Sequence, residues 1–175
     1  MRKKHVRNLT AGCAAFMAAA FVVSEGFSKT AFADEADKTT LVYGSTDYTR
    51  INPAMDEHCE INVLLFDGLT DHDGDNQIIP RLAKSWEYDE ENLTYTFHLE
   101  EGVKWHDGEP FTAEDVKFTF EAIMDPANES ENAPDYEDIE SIEVIDENTV
   151  AFHLSNVNTA FLEYMTKPVM PKHLL

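Results

Sequence analysis

The sequence predicts an α+β fold, and three stretches carry that prediction. In "LTYTFHL", Leu93, Tyr95, Phe97 and Leu99 alternate with Thr94, Thr96 and His98, the period-two pattern of a strand with one buried and one wet face. "SIEVID" and "TVAFHL" repeat that alternation on either side of "DEN", Asp146 to Asn148, which reads as a second hairpin. Between them, Ala113 to Met124 places Val116, Phe120 and Ile123 at spacings of four and three, one apolar stripe of a helix. Thr112 is the expected N-cap, with Asp115 three residues on as a capping-box partner. Asp125-Pro126 stops the helix, because proline lacks the N–H and restricts the residue before it.

The remaining elements follow in chain order. Arg2, Lys3, Lys4 and Arg7 precede an apolar run of 15 residues, Leu9 to Val23, too short for a membrane span and the right length for a signal sequence. Ala31-Phe32-Ala33 offers a small-x-small cleavage site, with cut expected between Ala33 and Asp34. "LTAGC" superficially suggests lipidation at Cys13. Only five residues separate Arg7 from Cys13, and Thr10 stands where an aliphatic residue belongs, so no lipid anchor is expected. Thr40 to Ser45 reads as a short strand. "TDYTRINPAMD" reads as a loop broken by Asn52 and Pro53. Glu57 to Phe66 reads as a helix with Ile61, Leu64 and Leu65 on one face, ended by Asp67-Gly68. "IIPRLAKSWEYD" starts extended and is expected to make a helical turn at Arg81–Ser85. "EEG" turns the chain and "VKW" is expected to pair back. A last helix is expected near Thr159.

Composition narrows the function. The 175 residues hold 43% hydrophobic and 11% aromatic residues, enough for a packed core. Lys+Arg total 13 against 34 Asp+Glu, a net charge of −21. Removing residues 1–33 takes five basic residues and one acid, leaving 8 basic against 33 acidic residues. Such a field repels nucleic acid and anionic membrane surfaces. With Cys13 removed, Cys59 is the one remaining thiol, so the core is held without an intramolecular disulfide.

Three constellations bear on chemistry. "DHDGDN", Asp71 to Asn76, spaces acids like a calcium loop, but glycine falls at the fourth position and Leu82 stands where a bidentate carboxylate is needed, so a hydrogen-bonded turn is expected. In "DEHCE", His58 and Cys59 are adjacent and point about 100° apart on a helix. No second ligand pair accompanies them, and the surrounding acids disfavour a reactive thiolate. His106-Asp107 has no nucleophile or phosphate loop nearby. Asp107-Gly108 reads as a turn leading through Pro110 into the Thr112 cap. The residues alone therefore give an exported, acidic, α+β binding protein rather than an enzyme.

The stretch from Ile78 to Pro126 adds a resemblance. Pro80, Leu82-Ala83, Ser85-Trp86, the Leu93–Leu99 strand, Gly102-Val103, Trp105-His106-Asp107-Gly108, Pro110, Thr112-Ala113 and Asp115-Val116 resemble the peptide/nickel-type (family 5, cluster C) extracytoplasmic solute-binding proteins of ABC importers. The second hairpin and the closing "MPKHLL" continue the match, which covers roughly residues 40 to 175. The resemblance implies a periplasmic-binding-protein-like type II fold: an incomplete first lobe plus an extra mixed α+β domain. On that reading residues 1–33 are the signal peptide and 34–79 begin the first lobe. Residues 80–155 are the extra domain, and 156–175 return to the first lobe. It implies a periplasmic or cell-surface protein that takes a peptide or other small solute to a membrane permease and its ATPase, with no cofactor, resident metal or nucleic acid.

The resemblance also implies ligand contacts. The segment after the "NP" loop faces the cleft, which maps to Glu57, His58 and Cys59, with Glu57 placed to meet a peptide amino terminus. Tyr136 of the extra domain and Tyr164 of the return segment complete the expected set. Three other readings stand beside this one. They are a nickel or metal-chelate binder of the same family, an exported metal-dependent hydrolase using His106/Asp107 or the Asp71–Asp75 acids, and a signalling receptor or truncated product without a transport role.

Overall fold

A computed structural model describes residues 52–55 and 60–175. The expected cleavage site at Ala33–Asp34, Cys13, the Thr40–Ser45 strand and the segment Asp56–Cys59 lie outside the described residues. The elements run α1 (Glu60–Leu65), β1 (Thr70–His72), β2 (Ile78–Pro80), β3 (Ala83–Asp89), β4 (Thr94–Leu99), α2 (Ala113–Met124), β5 (Ile139–Asp146), β6 (Thr149–Leu154) and α3 (Phe161–Tyr164). Short 3-10 turns occupy Pro126–Asn128, Ala133–Tyr136 and Lys172–Leu174.

β1 and β2 form a small antiparallel hairpin. The main sheet is antiparallel, with order β3-β4-β6-β5. β4 faces β3 through Trp86↔Phe97 and faces β6 through Phe97↔Val150, so the most apolar strands lie in the centre. On the inner face Phe97, Leu99, Val150 and Phe152 are fully buried, with Leu154 and Ile142 nearly so. α2 covers this face with Val116, Phe120 and Ile123, the three residues that its spacing selects. Phe152 is the hub. Its ring meets Phe97 at 5.6 Å, Phe120 at 5.3 Å and Phe161 at 5.6 Å, all edge-on, the geometry that opposes ring edge to ring face.

β4 starts at Thr94 rather than Leu93. Asp89 Oδ1 accepts the N–H groups of Glu91 and Asn92, and Oδ2 accepts the Asn92 side chain. The turn so made brings Leu93 into the left-handed region at φ 49°, outside strand geometry.

Two expectations are corrected here. Arg81–Ser85 makes no helical turn, because the Arg81 and Ala83 N–H groups donate to Leu69 O and the Leu82 N–H to Gly68 O. With its N–H groups so engaged, the chain passes straight into β3, whose Trp86 and Tyr88 alternate with exposed Ser85, Glu87 and Asp89. Nor does "VKW" pair back on β4, since both edges of β4 are taken by β3 and β6. The loop pairs with itself: Lys104 bridges Pro110, Trp105 N–H donates to Glu109 O, and Phe111 N–H donates to Val103 O. Gly108, at φ 96°, supplies the positive dihedral that this reversal needs.

Burial along α1 is uneven among the described residues. Leu64 is 52% and Leu65 37% exposed, whereas Asn62 is buried. Among the described residues Leu64 and Leu65 thus stay outward while Ile61 is half-buried.

The N-terminus of α2 is built as the capping box anticipates. Asp115 Oδ2 accepts the Thr112 N–H at 2.9 Å, while Oδ1 accepts the Lys172 N–H at 2.9 Å. Asp115 is buried, so both acceptors serve groups that water does not reach freely. Asp115→Ala is expected to cost about 2 kcal/mol, because it strands two backbone donors at once. Urea denaturation of wild type and variant measures this directly.

Candidate functional site

Three backbone segments meet at the "NP" turn. At residues 52–55 the Asn52 side chain accepts the Ala54 N–H at 3.0 Å, and Met55 N–H closes on Asn52 O at 3.1 Å. This is the Asx geometry that asparagine favours before a proline turn. Ala54 is buried, and its carbonyl accepts the Ser130 hydroxyl and, at 3.4 Å, the Asn132 side chain. Asn132 Oδ1 in turn accepts Lys167 Nζ at 2.7 Å. The polar loop after α2 and the segment after α3 thus fasten the "NP" turn that leads into Asp56, Glu57, His58 and Cys59.

Tyr136 and Tyr164, each expected as a ligand contact, lie against one another. Tyr136 donates its hydroxyl to Tyr164 O at 2.8 Å, and the two rings meet edge-on at 6.0 Å. Tyr136 also packs against Phe120 at 5.2 Å. Only 2% of Tyr136 is exposed, so it sits behind Tyr164 in the core and presents no surface in this conformation. Burial, reinforced by Asp135 and Tyr164, pushes its phenol far above the ordinary range, and it stays a neutral donor. Tyr164 is half-buried and keeps part of its ring in reach of solvent.

α3 is held from below. Thr70 Oγ1 donates to Leu162 O at 2.9 Å, and His72 Nε2 lies 2.6 Å from Glu163 Oε2. Leu69 and Thr70 N–H groups both donate to Met165 O.

The other sequence candidates separate from this region. The Asp71–Asn76 acids form the expected turn: Asp73 Oδ1 accepts the N–H groups of Asp75 and Gln77 at 2.9 Å each. Asp107 pairs with His173 at 2.7 Å rather than orienting His106. Among the described residues no group of three or more His, Cys, Asp or Glu side chains could hold a metal ion. Sequence reasoning did not single out Ser130, Asn132 or Lys167. The first two lie in a stretch that reads only as polar loop, and their use as donors depends on a chain segment 76 to 78 residues away.

Known proteins are similar to this chain in sequence and fold. The profile of the bacterial extracellular solute-binding proteins, family 5 middle region, matches residues 77–173, more than half of the chain. A Brucella ovis protein provisionally named an ABC transporter peptide-binding protein is 43% identical over 99 residues, covering 56% of this chain and 19% of its own length. Di/tripeptide-binding protein 1 of Pseudomonas aeruginosa is 36% identical over 122 residues, covering 59% of this chain and 23% of its own. The chain thus spans about a fifth of these relatives. Among solved structures, NikZ of Campylobacter jejuni in complex with Ni(L-His) superposes with a TM-score of 0.72 at 40% identity, over 74% of this chain and 27% of that one. DppA of Helicobacter pylori in complex with the peptide STSA gives 0.60 at 30%, over 71% and 29%. The fold is accordingly part of a periplasmic-binding-protein-like type II architecture, and the chain belongs to the bacterial extracellular solute-binding proteins of family 5.

Proposed function

We propose that this chain forms the beginning of the first lobe and the extra domain of an exported solute-binding protein that captures short peptides for an ABC importer. The carrying observation is the fastened "NP" turn. Ser130 and Asn132 hold the Ala54 carbonyl, and Lys167 holds Asn132, which ties the turn just before the acidic segment to two other parts of the chain. Similarity to a di/tripeptide-binding protein and to a peptide-bound DppA supports peptide as the solute. The net charge of −21 favours cationic termini and basic solutes through its field. Glu57 is assigned to the peptide ammonium, with His58 and Cys59 beside it. Tyr164 offers an aromatic edge, and Tyr136 acts by holding it.

The exposed Leu64 and Leu65 of α1 support the division in which residues 34–79 and 156–175 belong to a lobe completed by further chain. The basic and apolar leader that the sequence predicts at 1–33 supports export. Permease and ATPase partners follow from the importer reading, which leaves the chemistry of energy coupling to those subunits. A nickel-chelate ligand is the second reading, favoured by the NikZ likeness at 40% identity.

Titration calorimetry with the chain carried in a full-length family protein tests the assignment. Glu57→Gln is expected to weaken binding of a free-amine tripeptide about tenfold or more, because it removes a charge-assisted hydrogen bond. The N-acetylated peptide is expected to bind both proteins equally weakly. Equal affinity of wild type and variant for the free-amine peptide removes Glu57 from the site.

A further inference from the structure

We infer that residues 169–173 form a pH-sensitive latch, in which His173 closes on Asp107 of the "WHDG" turn and secures the segment to the start of α2. Four contacts make the junction. Met170 N–H donates to Thr119 Oγ1 at 2.8 Å, and Lys172 N–H donates to Asp115 Oδ1 at 2.9 Å. Lys172 Nζ lies 2.8 Å from Glu114 Oε2, and His173 Nε2 lies 2.7 Å from Asp107 Oδ2. The first two are made to buried partners, Thr119 and Asp115. The Lys172–Glu114 pair keeps its charges near neutrality. His173 is therefore the one contact of the four that changes charge between pH 5 and 8.

The bond to Asp107 and the nearby acids favour the charged form of His173, against a smaller opposing effect of desolvation. Asp107 and Glu109 approach from the turn and Asp115 from the first turn of α2, and no cation from these elements opposes them in the balance. The bond to Asp107 chiefly holds the imidazole above its ordinary 6.5, and the same bond holds Asp107 below its ordinary 3.8. The sign follows. The His173 contribution is fully present below about 6.5 and is lost as pH rises through the higher folded value. On the acid side, the Asp107 contribution is present above 3.8 and is lost as pH falls through its depressed folded value.

The consequence reaches past the surface. The same segment carries Val169 and Met170 into the core, and Val169 N–H bonds Asp67 O. Loosening the latch therefore loosens the crossing of the segment over Asp67-Gly68.

Hydrogen exchange read by NMR tests this on the full chain. The protection factor of the Lys172 amide, corrected for intrinsic exchange, is expected to fall about threefold or more from pH 5.5 to 8.5, with a midpoint matching the His173 ring titration. His173→Gln and Asp107→Asn keep a hydrogen bond without the charge change, and both are expected to give a flat profile. A flat profile in wild type overturns the latch. So does an undiminished fall in either variant.

Discussion

Replacing Phe152 with alanine is expected to destabilise the fold by about 4 kcal/mol. The side chain is fully buried and holds Phe97, Phe120 and Phe161 in edge contact. Those three rings belong to β4, α2 and α3, so truncation opens a cavity where three elements converge. The cost combines lost transfer free energy, an unrelaxed void and about 0.5–1.5 kcal/mol for each lost aromatic pair. A domain of this size has only about 5–15 kcal/mol to lose. Urea titration followed by far- and near-UV circular dichroism checks it, with the midpoint dropping at unchanged m. Phe152→Leu is expected to lose less than half as much. A loss under about 1 kcal/mol for alanine contradicts the three-element hub.

Gly68→Ala is expected to cost about 3 kcal/mol for a different reason. A Cβ there would lie 2.5 Å from Thr166 O and 2.6 Å from Thr166 C, both backbone atoms. That backbone cannot retreat cheaply. Leu69 and Thr70 N–H groups hold Met165 O, Val169 N–H holds Asp67 O, and Leu82 N–H holds Gly68 O. Relief requires parting two segments that share three backbone hydrogen bonds, with Leu82 holding Gly68 from a third. Gly74 is the internal control, because a Cβ there meets nothing within 4 Å. Gly74→Ala is expected to change stability by less than about 0.5 kcal/mol. Equal behaviour of the two variants in chemical denaturation would show that the close crossing carries no constraint.

These two positions also show what the sequence exposes and what it hides. Phe97 and Phe152 stand on alternating strands, and Val116, Phe120 and Ile123 on a helical stripe, so local periodicity marks them as core. The capping box at Thr112 and Asp115 was equally legible, because it spans one turn. Gly68 was readable only as a helix stop. Its actual demand, close approach to Thr166, depends on a segment about a hundred residues later, and no local pattern records that. Arg81–Ser85 misled for the same reason. Its helical appearance is overridden by the carbonyls of Gly68 and Leu69, which take its N–H groups.

The site divides in the same way. Tyr136 and Tyr164 were named from the family resemblance, and the fold brings them together through a hydrogen bond and an edge contact. Nothing local to Tyr136 foretold its burial, which comes from Phe120 and Tyr164 closing over it. Ser130 and Asn132 were invisible, since a polar loop gives no sign of which carbonyl it will fasten. In "KWHDGEPF", adjacency suggested His106 as the partner of Asp107. The fold supplies His173 instead, 66 residues on, because successive side chains diverge while a return segment can face the turn squarely.

The most direct test of the peptide-binding reading is mass spectrometry of what the protein carries from the cell. A full-length family protein containing this chain is purified without denaturation, and its ligand is released with acid and identified. The account predicts a population of short peptides, enriched in free amino termini and basic residues. Recovery of a nickel chelate with no peptide would contradict it and transfer the site to the second reading.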